Sequence, residues 1–259
     1  MTGGFASPDP VRLGMLTPSS NTALEPLTAA LLARTPHVTA HFARLRVTEI
    51  ALSAAALGQF DHAPQLAAAD LLADAKVHAI AWNGTAGGWR GFDADRALCA
   101  AITARTGAPA TTSTLATLDA LAALGARRIA FVTPYLAEVQ RAIVGNFGAA
   151  GFDVVAERHL GDRGNFSFAA FDEAVIEAMV RAVAAERPDA IAIYCTNFRG
   201  TRLVERLEAE TGVTILDSIA VTAWGALRAA GADPSIIAGW GSLFRRNPAP
   251  ETAHQGEPA

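Results

Sequence analysis

The sequence predicts an α/β fold of two pseudosymmetric Rossmann-like lobes with parallel sheets, and an active site in the cleft between them. Three observations predict it. Short apolar runs alternate with longer Ala/Leu-rich stretches at the spacing of βαβ units. The runs are apolar throughout, which suits parallel strands covered by helices on both faces. Finally, segments of the first half recur in the second. Arg12-Leu-Gly-Met-Leu-Thr17-Pro18 matches Arg128-Ile-Ala-Phe-Val-Thr133-Pro134 at an offset of 116 residues. Ala79-Ile-Ala-Trp-Asn-Gly84-Thr85 matches Ala190-Ile-Ala-Ile-Tyr-Cys195-Thr196 at an offset of 111, and Gly107…Ser113 more weakly resembles Gly212…Ser218. Three matches in one order suggest two homologous half-domains about a pseudo-twofold axis.

The elements follow in order. Met1–Pro10 is small and polar and reads as a loose tail; a signal peptide would need an apolar core. Leu13–Leu16 is a buried strand and 22–34 a helix. Val38–Leu45 is the next strand, then a helix over 62–75, a strand at Ala79–Trp82, and helices over 93–106 and 114–125. Asp93 and Thr114 are the candidate N-caps of those two helices. Ile129–Thr133, Val154–Ala156 and Ala190–Tyr194 are strands, separated by helices over 136–150 and 168–186. Helices over 200–211 and 219–230 come next, then a short strand at Ile236–Ala238, and Asn247–Ala259 is a second tail. Gly107, Gly125, Gly151, Gly212 and Gly231 stand where a helix reverses into αL, the conformation glycine adopts without a steric penalty. The lobes are expected at 1–113 plus 219–259, and at 114–218.

Composition excludes several function classes. The chain has 259 residues, 51% hydrophobic and 18% charged, which suffices for a full core. With 21 Lys+Arg against 25 Asp+Glu there is no basic excess to neutralise nucleic-acid phosphates. Apolar runs stop well short of the roughly 18–20 residues of a membrane span. Two cysteines, Cys99 and Cys195, make neither a disulfide framework nor a cysteine zinc site. Six histidines are scattered without ligand spacing, so no metal is expected. No Gly-x-Ser-x-Gly elbow is present. The expectation is a cytoplasmic protein whose partner is a small molecule, with neither nucleic acid nor membrane; a homo-oligomer is left open.

In open parallel sheets, ligands bind beyond the carboxyl ends of the strands. Two facing lobes would gather the loops 17–22, 83–88, 133–136 and 195–200 around one cleft, and the polar residues concentrate there. Cys195 follows a buried strand and precedes a helix, whose N-terminal partial charge would favour thiolate; the competing reading is a small buried hydrophobe. Cys99, inside an amphipathic helix, reads as core. Pro18-Ser19-Ser20-Asn21-Thr22 either caps a helix or supplies donors to a carboxylate. The glycine-dense run from Asn83 to Gly88 is neither a P-loop nor a convincing dinucleotide fingerprint, yet its N–H groups could approach an anion. Tyr135 could donate to a carboxylate or sit half-buried, and Asn165 lies in a loop whose turn chemistry alone would explain it. Trp82, Trp89 and Phe198 are the aromatic candidates for a pocket lining.

Thr17-Pro-Ser-Ser-Asn-Thr-Ala-Leu-Glu-Pro, Val132-Thr-Pro-Tyr135 and Cys195-Thr-Asn resemble the maleate cis-trans isomerase branch of the aspartate/glutamate racemase superfamily. That branch also holds arylmalonate decarboxylase, which Ala-Leu-Gly-Ala-Arg-Arg at 123–128 and Gly241-Ser-Leu-Phe resemble. The resemblance spans about residues 11–246. It implies two lobes and chemistry without metal or organic cofactor. Racemases and isomerases of this kind use two cysteines; the second matches Cys195, and the first falls at Gly84. A glycine there and one cysteine opposite is the decarboxylase arrangement. The resemblance then implies Thr85 and Tyr135 as donors, the Cys195–Thr196 backbone as oxyanion hole, and Cys195 as the acid that protonates an enediolate. Asn21, Tyr135 and Asn165 match substrate-holding positions of maleate isomerases instead, and Ala86 lacks the hydroxyl that decarboxylase carries. The expected site is therefore Cys195 as catalytic residue, with Ser20, Asn21, Gly84, Thr85, Tyr135, Asn165, Thr196 and Asn197 binding a small carboxylate or dicarboxylate. Decarboxylation is the leading expectation. Isomerisation or racemisation, and carboxylate binding without turnover, are the alternatives.

Overall fold

The computed structural model describes residues 10–245; the tails, 1–9 and 246–259, lie outside the described residues. The first sheet contains β1 (Val11–Pro18), β2 (Val38–Leu45), β3 (Ala79–Trp82) and β4 (Ala110–Thr112), all parallel, in the order β2-β1-β3-β4. The second contains β5 (Arg128–Thr133), β6 (Asp153–His159), β7 (Ala190–Ile193) and β8 (Thr214–Asp217), in the order β6-β5-β7-β8. The strand order is the same in both. Leu13 faces Ala79 in one sheet as Ile129 faces Ala190 in the other. The sequence repeat is thus a repeat of register. Strands β3 and β7, Ala-Ile-Ala-Trp and Ala-Ile-Ala-Ile, are buried along their whole length, as central strands covered on both faces must be.

Helices α1 (Leu24–Leu32), α2 (Ala54–Gly58), α3 (His62–Asp74), α4 (Gly87–Arg90) and α5 (Phe92–Thr106) belong to the first half. They are followed by α6 (Ser113–Leu124), α7 (Ala137–Ala149), α8 (Glu173–Ala184), α9 (Val204–Thr211) and α10 (Ser218–Ala229). The five helix-ending glycines all adopt positive φ, from 63° at Gly125 to 90° at Gly151.

Several expectations need correction. Strands β4 and β8 were not expected. Each has only three or four residues and runs straight into a helix, so Ala-Thr-Thr and Thr-Ile-Leu-Asp read as loop. Their last residues are the real caps. Thr112 accepts from the Leu115 N–H, and Asp217 from those of Ile219 and Ala220. Thr114 therefore lies within the first turn of α6. Asp93 likewise lies inside α5, behind Gly91. The expected strand at Ile236–Ala238 does not form: Ile236 ends a 3₁₀ turn, Pro234–Ile236, capped by the Asp233 carboxylate, and 237–238 join no ladder. The expected helices over 168–186 and 200–211 each break into a 3₁₀ turn and a shorter helix.

Helices α6 and α10 pack together at the centre. A Cβ placed on Gly225 would lie 2.6 Å from Ala116 Cβ, so a glycine sets this close approach. Thr222 Oγ1 bridges the two helices to Ser113 Oγ at 2.7 Å. Gly225→Val should overpack this contact and lower stability by about 1–3 kcal/mol, read from urea midpoints. Unchanged stability would show that the helices separate freely.

Candidate active site

The carboxyl ends of β1, β3, β5 and β7 converge on a small, partly open cavity of about 20 Å³, room for about one water. Its polar side is Gly84, Thr85, Tyr135, Asn165, Cys195 and Thr196. The apolar wall is Val47, Ile50, Phe60, Trp82 and Trp89. Six of the nine expected site residues therefore meet in one place. The other three, Ser20, Asn21 and Asn197, stand behind it. Phe198 is buried outside the lining.

Those three build the frame that joins the halves. Asn21 Oδ1 accepts from the N–H groups of Ala23 and Leu24, while its Nδ2 donates to the carbonyl and hydroxyl of Thr196 at 3.0 and 3.1 Å. Asn197 Oδ1 accepts from the N–H groups of Thr22 and Ala23, and its Nδ2 donates to the Asn165 carbonyl at 2.6 Å. Ser20 donates to the Val47 carbonyl and accepts from Asn165 Nδ2. Thr196 Oγ1 donates to the Asn83 carbonyl at 3.0 Å. A buried amide with all these partners satisfied holds the lobes in register. The loop 17–22 thus both caps a helix and ties the cleft together.

Two hydroxyls meet across the cleft: Thr85 Oγ1 and Tyr135 Oη lie 2.7 Å apart, both buried. The Tyr135 ring stands edge-on to Trp89 at 5.3 Å and to Phe168 at 5.5 Å, which fixes its direction. Burial, with the Cys195 sulfur beside it, holds the Tyr135 phenol well above its ordinary value. Trp89 Nε1 is buried without a hydrogen-bond partner among the described residues, a donor in an otherwise apolar wall.

Cys195 is 2% exposed. Burial pushes its thiol up to about 12; the Tyr135 hydroxyl and the Asn197 N–H, 3.4 Å from Sγ, only partly oppose this. This corrects the expectation of a helix N-terminus favouring thiolate. The segment after Cys195 is loop, and the first turn opens only at Thr201. Desolvation wins over a dipole that is not there. Burial thus keeps Cys195 as the protonated thiol. Among the described residues no group of His, Cys, Asp or Glu side chains is placed to hold a metal ion, and no helix is long and apolar enough to cross a membrane.

Two buried carboxyls near the cleft went unrecognised in the sequence. Asp217 Oδ1 accepts from Thr201 at 2.8 Å, while Oδ2 has no partner among the described residues. In the first half the pair is exchanged: Thr112, at the matching cap, donates to Asp95 at 2.5 Å. Burial raises Asp217 to about 7 and Asp95 to about 6. With β8 unrecognised, nothing in the sequence marks Asp217 as buried. Below 3.8 both folded and unfolded chains keep the Asp217 proton; above that the unfolded chain ionises first. Asp217 therefore lowers stability as pH rises from about 4 to about 7, by up to about 1.4 kcal/mol per pH unit. Asp217→Asn should gain on the parent over that window and no further above it. Urea midpoints from pH 4 to 8 check this; a pH-independent difference would refute it.

The arylmalonate decarboxylase family model matches residues 14–244. Arylmalonate decarboxylase of Bordetella bronchiseptica is 32% identical over 158 residues, 60% of this chain and 66% of that enzyme. Maleate isomerase of Pseudomonas putida is 28% identical over 245 residues, 90% of this chain and 96% of the relative. Among solved structures, the maleate isomerase Iso of Pseudomonas putida S16 with maleate superposes with a TM-score of 0.83 at 26% identity, covering 91% of this chain and 98% of that one. The Nocardia farcinica maleate cis-trans isomerase, in a cysteine-to-serine variant with a covalently bound succinylcysteine intermediate, gives 0.82 at 26%, covering 92% and 99%. The chain belongs to the arylmalonate decarboxylase family, in the branch of the aspartate/glutamate racemase superfamily that includes the maleate isomerases.

Proposed function

We propose that the protein is a cofactor-independent decarboxylase of a small substituted malonate, with Cys195 as its single acid. The observation that carries this is a buried, protonated thiol facing a cavity whose other cysteine position is Gly84. One carboxylate is held by Thr85, Tyr135 and the loop N–H groups. The other lies against Val47, Ile50 and Phe60, where desolvation favours its loss. The bond from the α-carbon to that carboxylate breaks, carbon dioxide leaves, and the electron pair passes into the remaining carboxylate as an enediolate. Donors already in place stabilise that charge. The Cys195 S–H then gives its proton to the α-carbon, and the thiolate recovers one from solvent. A diacid exceeds the present cavity, so binding requires the wall at 47–60 to shift. That segment is tied to the second half by the Ile50 N–H to the Arg163 carbonyl and the Asn165 N–H to the Thr48 carbonyl.

Isomerisation is the second reading, favoured by the isomerase relatives' fuller coverage and by Asn165 in the cavity. The succinylcysteine in the Nocardia farcinica enzyme is an adduct of a thiol with the substrate carbon skeleton. Such addition needs thiolate, which the burial of Cys195 opposes. The test incubates the protein with alkyl- and aryl-substituted malonates, following carbon dioxide, and with maleate, following its ultraviolet absorbance. Carbon dioxide from a malonate with maleate unchanged is expected. Maleate conversion without carbon dioxide would replace this reading with the isomerase. Thermal stabilisation by carboxylates without any turnover would replace it with a binding protein.

A further inference from the structure

Gly84 and Cys195 stand at the same offset as the rest of the central repeat, so they are equivalent places in the two halves. What surrounds them differs. Trp82 precedes Gly84 by two residues and so lies on the same side of the extended chain as it leaves β3. A Cβ built on Gly84 would lie 2.3 Å from Trp82 Cε2, 2.4 Å from Nε1 and 2.5 Å from Cζ2. No real Cβ comes that close, so the indole edge fills the place of a side chain at position 84. Neither partner is free to give. Trp82 is 1% exposed. Asn83, between them, is held by Nδ2 bonds to the Leu16 and Ala81 carbonyls, and its own carbonyl accepts from Thr196. In the second half Ile193 takes the place of Trp82. Its side chain is turned under Gly200, where a Cβ would meet it at 2.7 Å, and the place of Cys195 is left clear.

We propose that Trp82 is the specificity-determining residue of this site: its indole holds the place opposite Cys195 against any second acid, base or nucleophile, and so limits the chemistry to one-sided proton transfer. The inference rests on Cys195 as the acid. It follows that the missing cysteine cannot be restored by Gly84→Cys alone. The wall must be cut back with it.

The test compares Gly84→Cys, Trp82→Leu and the double variant. In the first arm, melting temperature is measured without substrate. Gly84→Cys should lose roughly 3–10 °C through overpacking, and the double variant should lose clearly less than the two single losses combined. A Gly84→Cys protein too unstable to isolate, beside a folded double variant, is the same result in stronger form. In the second arm, a resolved 2-substituted carboxylate is incubated in deuterium oxide. The double variant should racemise it at least about tenfold faster than Gly84→Cys. Additive losses of stability, or Gly84→Cys racemising as fast as the double variant, would overturn the proposal. Failure of the decarboxylase reading looks different: the parent protein releases no carbon dioxide from any malonate, while the stability coupling persists.

Discussion

Cys195→Ala is expected to lower carbon dioxide release by about 10²–10⁴-fold, the usual worth of one positioned acid. The melting temperature should move little, because the thiol accepts only weak bonds, from the Asn197 N–H at 3.4 Å and from the Tyr135 hydroxyl. The direction of its titration sharpens the expectation. An ordinary thiol is half-ionised near pH 8.5. Burial holds that of Cys195 up to about 12, so the acid form persists through neutral and mildly alkaline conditions. Turnover of the parent should therefore show no thiol-type decline up to about pH 9. Full activity in Cys195→Ala would remove the thiol from the mechanism. A rise in activity with an apparent pKa near 8 would mark it as a nucleophile or base.

Tyr135→Phe should lower kcat by about 10²–10³-fold, comparable to removing one donor from an oxyanion hole. The phenol touches both halves of the chemistry. It shares a 2.7 Å bond with Thr85, and it reaches the Cys195 sulfur. Its ring is clamped by Trp89 and Phe168, and phenylalanine keeps that packing. The loss should thus fall on kcat more than on KM, with the fold retained. Steady-state kinetics on the best malonate separate the two. A loss confined to KM would make Tyr135 a binding group whose contact is the same in ground and transition states.

Much of the fold was legible because parallel α/β structure writes itself in apolar runs. Leu13–Leu16 and Ala79–Trp82 could hardly be anything but buried strands. The glycines at 107, 125, 151, 212 and 231 marked helix ends because only they adopt the reversed backbone cheaply. What stayed hidden was short or polar. Ala110–Thr112 and Thr214–Asp217 carry too few apolar residues to show a period. Missing the second of these hid Asp217 and its burial. In the site, Gly84, Thr85, Tyr135 and Cys195 were legible because the repeat placed them at strand ends. Ser20, Asn21 and Asn197 were legible as polar residues in the right loops, but a sequence cannot tell a side chain facing a substrate from one bonded to the opposite lobe. Val47, Ile50 and Phe60 carried no signal, since their segment reaches the cavity only through the tertiary contacts of Ile50 and Thr48 with residues 163–165. Trp82 was legible as the end of a buried strand and a candidate pocket wall, but nothing in the sequence sets its indole over Gly84.

One thiol that delivers one proton to one face of the carbanion left by carbon dioxide must give a single enantiomer. Decarboxylation of a prochiral disubstituted malonate in deuterium oxide tests it most directly, with carbon dioxide, deuterium content and enantiomer ratio read on the same product. Carbon dioxide release and a single enantiomer carrying one deuterium at the α-carbon are expected. A racemic product would contradict this.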